Sequence, residues 1–216
     1  MSRLVFEKKG DSVWISHLDT MRVFQRAFRR AGVMVKHSQG FTPRAIVSIA
    51  LPLSVGVESQ CELLDYELED GATLTLEQIN EALPAGIRVL EILDNGRKIK
   101  ELTDLHARLV LTYDQGVSED KIEALKALYH ADTLILKKHS RKGETETDIL
   151  PMLKQMKIAK TSDTTLEMNV LVSAQNPALN PQLLINAIEL YAPELMPDGV
   201  QICRMEIFDA QGTVFR

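Results

Sequence analysis

The sequence predicts a mixed α+β fold in which one β-α-β-β-α-β unit is built twice. Three observations carry this. Apolar patterns of period two and of period 3.6 alternate in the same order in both halves. Gly, Pro, Asn and Ser punctuate the patterned segments. Between Asp94 and Asp104 the apolar pattern stops at Asn95-Gly96 and a run of Lys and Arg, which places a boundary there.

In the first half, Ser2 to Lys8 reads as a strand with Leu4 and Phe6 on one face, and Gly10-Asp11-Ser12 as a turn. Ser16 is placed to cap a helix, with Asp19 three residues on as the acidic partner. That helix is expected to stop at Gly32 and to carry its apolar side on Met21, Phe24, Phe28 and Ala31. Val33 to Val35 is a brief extended piece, Ser38 to Pro43 a loop and Ala45 to Leu51 a buried strand. Pro52, Ser54 and Gly56 turn the chain into a strand at Cys61 to Leu68. A helix over Leu74 to Leu83 and a strand over Ile87 to Leu93 complete the unit.

The second half is expected to repeat the order. Ala107 to Tyr113 is a strand, Ser118 caps a helix running to His130, and Thr133 to Lys138 is a strand. A polar hairpin-like segment over Lys138 to Thr147 leads into a short helix around Leu150 to Met156. Thr165 to Val172 is a strand. Asn180 caps a helix over Pro181 to Tyr191, and Val200 to Phe208 closes the unit. Two such units in tandem describe duplicated ferredoxin-like sandwiches, with both helices of each unit on one face of an antiparallel sheet. The expected domains are residues 1–96 and 103–216.

Composition narrows the class. In 216 residues, 45% are hydrophobic and 25% charged, which is ordinary for a globular chain. No apolar run approaches the roughly 20 residues of a membrane span, and Met1 to Gly10 has no apolar signal region. A cytoplasmic protein without a membrane partner is expected. Cys61 and Cys203 sit far apart in strand-like stretches and read as reduced core residues. They are too few for an iron–sulfur cluster. There is no phosphate-binding loop, no dinucleotide fingerprint and no zinc spacing, so no cofactor and no metal are expected. No complete catalytic motif is present, and whether the chain catalyses anything stays open.

Charge is uneven. The net charge is −5, yet His17 to Arg44 holds six Lys/Arg and one acid, while Glu58 to Glu81 holds eight acids and neither Lys nor Arg. Arg22, Arg26, Arg29 and Arg30 fall within an arc of about 100° at 100° per residue. Guanidinium forks suit phosphate, because each donates two parallel hydrogen bonds. With Gln39, Gly40 and Arg44 from the next loop, these arginines are candidates to hold an RNA backbone or an acidic protein surface. The plainer reading is a solvated helix face answered by the acidic stretch. A second basic cluster, Lys137, Lys138, His139, Arg141 and Lys142, reads either as a phosphate-contacting hairpin or as charge that blocks edge pairing. His17 and His37 are candidate acid/base groups for RNA cleavage. Trp14 reads as a cover for the core edge, with base stacking as the alternative.

Longer motifs point to a family. Trp14-Ile-Ser-His-Leu-Asp-Thr-Met-Arg, Phe28-Arg-Arg-Ala-Gly, His37-Ser-Gln-Gly-Phe-Thr-Pro-Arg and Ala50-Leu-Pro-Leu-Ser-Val-Gly-Val-Glu-Ser resemble the radical-SAM-linked domain family. Lys142-Gly143 through Pro151 resembles that family's second half, and Thr42 departs from the Asn expected within its Gly-Phe-x-Pro-Arg motif. The resemblance implies an accessory role beside a radical-SAM protein on a separate chain, with RNA or a ribosomal component as the setting. A stand-alone RNA-processing or RNA-modifying enzyme and a protein–protein adaptor are the alternatives. The paired layout is also similar, at the level of fold alone, to CRISPR repeat-cleaving proteins.

Overall fold

The computed structural model describes residues 1–140 and 143–216, without side chains over 138–144. The chain divides into two units: residues 1–101 with Val214–Arg216, and Leu102–Thr213.

Unit 1 runs β1 (Ser2–Lys8), a 3-10 turn (Gly10–Trp14), α1 (His17–Arg30), β2 (Val47–Ile49), β3 (Glu58–Tyr66), α2 (Leu76–Ala82) and β4 (Ile87–Leu93). The strands lie in the order β4-β1-β3-β2 with every neighbouring pair antiparallel. Alternation along β1 sends Leu4 and Phe6 to the helix side, where they join Leu64, Tyr66, Ile87 and Val89 in one core cluster. Ser16 caps α1, its Oγ accepting from the Asp19 amide at 3.2 Å. Thr20, Phe24, Ala27 and Phe28 are the buried residues of α1, whereas Met21 and Ala31 are half-buried. Phe24 meets Phe6 edge-on at 4.7 Å and Phe28 meets Tyr66 at 5.2 Å between ring centroids. Thr75 and Gln78 close a reciprocal capping box on α2.

Two expectations for this half are corrected. The strand expected over Ala45 to Leu51 is only the three residues of β2, since Val35–Leu68 and His37–Ala45 pair as isolated bridges beside it. Trp14 does not cover the core edge, for it is 71% exposed.

Unit 2 runs β5 (Leu102–Thr112), α3 (Glu119–Tyr129), β6 (Ile135–Ser140), β7 (Gly143–Asp148), a 3-10 turn (Leu150–Met152), β8 (Leu153–Ser162), β9 (Thr165–Ser173), α4 (Gln182–Tyr191) and β10 (Gly199–Asp209). Its antiparallel order is β10-β5-β9-β8, and β6 pairs β7 in a separate two-stranded ribbon. Leu105, Ala107, Leu109 and Leu111 of β5 share the buried face with Leu166, Met168, Val170 and Val172 of β9. The short helix expected around Leu150 to Met156 is therefore replaced by one 3-10 turn and the ten-residue strand β8. The strand expected at Thr133 to Lys138 belongs to the ribbon and not to the main sheet of the unit. Lys154, Lys157 and Lys160 stud β8, and such charges discourage further pairing at a sheet edge.

Candidate functional site

The helix arginines meet different neighbours. Arg22 and Arg29 lie at one edge of their arc. With Leu18, Met21, Gln25, His37, Pro43 and Arg44 they line a groove of about 630 Å³ beside α1. At the far edge Arg30 turns to α2, its Nε and Nη2 donating to the Ala82 carbonyl at 3.1 and 2.5 Å. There it caps an open helix end. Arg26 sits between, exposed and outside the groove lining.

Charge balance in the groove favours an anion. Arg22 donates to Asp19 at 2.7 Å. The Ser16 hydroxyl, and then Arg22, hold the Asp19 carboxyl below the usual carboxylate range. Among the described residues, no carboxylate lies within ion-pairing distance of Arg29 or Arg44. Two acids of the acidic stretch pair elsewhere, Asp65 with Arg3 and Asp70 with Lys36. The Asp70 hydrogen bond raises the Lys36 ammonium above its ordinary value.

The loop over 38–44 is tied at its base, with the Ser38 amide bonded to the Arg44 carbonyl at 2.8 Å and the Ser38 hydroxyl accepting from the Arg44 amide at 3.1 Å. This places Arg44 and His37 together at the groove. Gln39 and Gly40 lie beyond the tie, exposed and outside the groove lining. Gly40 has φ +140°, which L side chains rarely adopt.

The two histidines do not share a site. His17 lines a different recess with Phe6, Lys8, Thr20, Ile49, Leu53 and Glu62, and its Nδ1 is buried without a hydrogen-bond partner. Lys8 is itself buried, its ammonium donating to the Ile15 and Val13 carbonyls at 2.6 and 3.3 Å. Burial lowers its pKa, with Glu62 opposing. Of the second basic cluster, Arg141 and Lys142 lie outside the described residues, as does the Lys138 side chain. Lys137 is exposed on β6. Among the described residues no group of three or more metal-ligating side chains is gathered. No helix among them is long and apolar enough to cross a membrane.

Unit 2 holds a recess that sequence reasoning missed, of about 420 Å³, lined by Asp104, His106, Lys157, Asn169, Leu171 and Phe208 among others. Asn169 donates through Nδ2 to Glu167 at 2.7 Å, and its Oδ1 lies 3.0 Å from His106 Nε2. A carboxylate only accepts, so the amide orientation follows, and Nε2 of His106 must carry a proton. The alternating polar residues of β5 and β9 were the available signal. The register that makes His106 and Asn169 near neighbours was not.

A family model described as "Uncharacterized protein conserved in bacteria (DUF2344)" matches residues 2–181. No curated protein sequence matches the chain. Among solved structures, a chain of "Crystal Structure of a Cbf5-Nop10-Gar1 Complex" is similar, with TM-score 0.53 and 10% identity over 97% of this chain and 50% of that one. The chain thus spans half the length of that relative, and at this identity the likeness speaks to fold alone. A chain of "Crystal structure of the archaeal box H/ACA sRNP Nop10-Cbf5 complex" aligns at TM-score 0.43 and 12% identity, covering 94% of this chain and 46% of that one. A protein from Galdieria sulphuraria aligns at TM-score 0.24 and 14% identity, covering 97% and 98%.

Proposed function

The chain belongs to the DUF2344 family of uncharacterised proteins conserved in bacteria, and on that premise we propose that it is an accessory module that holds RNA, or an RNA-bearing ribosomal component, for a radical-SAM protein on a separate polypeptide. The observation that carries the RNA part is the groove where Arg22, Arg29 and Arg44 converge, two of them without a carboxylate partner among the described residues. Unpaired guanidinium groups beside an open groove favour a polyanion, and phosphate contacts of this kind position a strand without reading its sequence. The radical-SAM part rests on the motif resemblance of the Trp14–Arg22, Phe28–Gly32 and His37–Arg44 stretches. We read the two units as a duplicated ferredoxin-like repeat, on the β-α-β-β-α-β order that both share once the β6–β7 ribbon is set aside.

Arg29→Ala tests the reading. Loss of RNA binding by a similar factor for every sequence, with folding intact, is the expected result. RNA binding that is absent or indifferent to Arg29→Ala, with capture of a partner protein reduced by the same change, would replace it with the adaptor reading. His37 in the groove favours one further reading, an RNA-processing enzyme that uses it as acid or base. Cleavage of bound RNA that is lost in His37→Ala would establish that instead.

A further inference from the structure

Trp14 is a large apolar side chain held out into solvent by a backbone that is pinned on both sides. The residue is 71% exposed. The carbonyl before it, on Val13, accepts from the Lys8 ammonium at 3.3 Å and from the Gly56 amide at 2.9 Å. The carbonyl after it, on Ile15, accepts from the same ammonium at 2.6 Å. Ser12, two residues earlier, donates to the Lys9 and Gly86 carbonyls, forked over 2.8 and 2.9 Å. Gly56, at φ +82°, brings its backbone so close that a Cβ there would sit 3.5 Å from the indole. An exposed apolar ring normally gains by folding back onto the core. The buried Lys8 ammonium fixes the backbone on either side of this one.

The groove starts four residues later, at Leu18, which is 66% exposed. At the loop that supplies His37, Pro43 and Arg44 stands Phe41, fully exposed. Unit 1 therefore carries an arginine-lined groove with two exposed aromatic rings close to it along the chain, Trp14 just before α1 and Phe41 within the 38–44 loop, both outside the groove lining. Cationic groove and solvent-facing rings together are the pattern that binds single-stranded nucleic acid, because phosphates take the cations and unpaired bases take the rings. A duplex offers the same phosphates and keeps its bases stacked internally.

We infer that the groove takes single-stranded RNA in preference to duplex, with Trp14 as a base-stacking residue and Phe41 as a second stacking position. This rests on the RNA reading of the groove. The turn beneath Trp14 is pinned, so little backbone freedom is lost on binding.

Trp14 is the only tryptophan in the chain, so its fluorescence reports the contact directly. The full chain is titrated with dye-labelled oligouridylate and with a dye-labelled RNA duplex of the same length, following dye anisotropy and indole emission together. The expected result is tighter binding of the single strand, with quenching of the indole by the single strand only. Trp14→Ala should weaken single-strand binding about 5- to 150-fold, the range for losing one stacked base. Trp14→Phe should recover part of it. Thermal unfolding of Trp14→Ala, at this exposure, should stay near that of the parent chain. Anisotropy that rises equally for both RNAs, with indole emission unchanged and Trp14→Ala binding as well as the parent, overturns the stacking inference and leaves the phosphate groove standing. No anisotropy change with either RNA overturns both.

Discussion

Arg3 and Asp65 face each other directly across the β1–β3 pair and are joined twice, Nε to Oδ1 at 2.6 Å and Nη2 to Oδ2 at 3.0 Å. The Arg3 side chain is 2% exposed. The same Nη2 also donates to the Arg97 carbonyl at 2.8 Å. Gly96 is packed so tightly against the guanidinium that a Cβ there would lie 2.8 Å from Arg3 Nε. This is a structural use of arginine, unlike the open guanidinium groups beside α1.

Breaking that pair leaves a buried charge without its counter-ion. Asp65→Ala or Arg3→Ala should each cost about 3–5 kcal/mol in urea unfolding. Replacing both together with apolar residues of similar volume should cost far less, since no orphan charge remains. Equal costs for the single and double changes would mean that packing, not pairing, dominates there.

Three phenylalanines test the core. Phe24, Phe28 and Phe215 are all within 1% of complete burial. Each change to Ala should cost about 3–5 kcal/mol. Phe215 carries an added term, because the guanidinium carbons of Arg3 and Arg97 lie 5.4 and 4.9 Å from its ring centroid. A loss below about 1 kcal/mol for any of them would contradict the burial assigned to it.

Alkaline pH should unfold the chain partly through Tyr113. Burial, and then the nearby Asp198 carboxylate, push its phenol from 10.0 up to about 12. A folded pKa raised above the unfolded one means that the unfolded state releases its proton first. The stability it contributes is therefore whole below pH 10 and declines as pH climbs toward about 12. Tyr113→Phe should flatten the fall in stability across that window. At neutral pH it should cost about 0.5–1.5 kcal/mol for the lost bond to the Leu195 carbonyl. An unchanged slope in the variant would assign the alkaline transition to another group.

Salt dependence should separate the arginines. Binding to a single strand loses about 0.7 in the log–log slope for each phosphate contact removed. Arg29→Ala and Arg44→Ala should each lower the slope by about that amount. Arg30→Ala should leave the slope alone and cost stability instead, since its guanidinium is committed to the Ala82 carbonyl. A slope that falls equally for Arg29→Ala and Arg30→Ala would mean that the helix presents one diffuse cationic face.

Much of the fold could be read because it obeys local rules. The cap at Ser16, the cap at Ser118 and the strand Ile87–Leu93 follow from neighbouring residues alone. β8 could not be read so. Leu150, Leu153 and Met156 recur every three residues and imitate a helix. A register shift between Leu153 and Gln155 breaks the alternation that would have exposed the strand. The candidate site was half legible. The Arg22–Arg30 run named the right helix, but which arginines meet the groove depends on α2, and only tertiary structure says that Ala82 takes Arg30. Lys8, which binds the carbonyls on either side of Trp14, shares the alternation face of Leu4 and Phe6 on β1 and is buried there, a placement that its charge hides in the sequence.

The return of Val214–Arg216 to unit 1 has a consequence for biosynthesis. Unit 2 is continuous over Leu102–Thr213, so its parts emerge in one uninterrupted stretch. Unit 1 begins to emerge first, yet Arg3 waits for Phe215 across more than two hundred residues of chain. Contacts that far apart in sequence close slowly, and a growing chain meets them last. On the ribosome, the half that is translated first remains unfinished until the other has already been made.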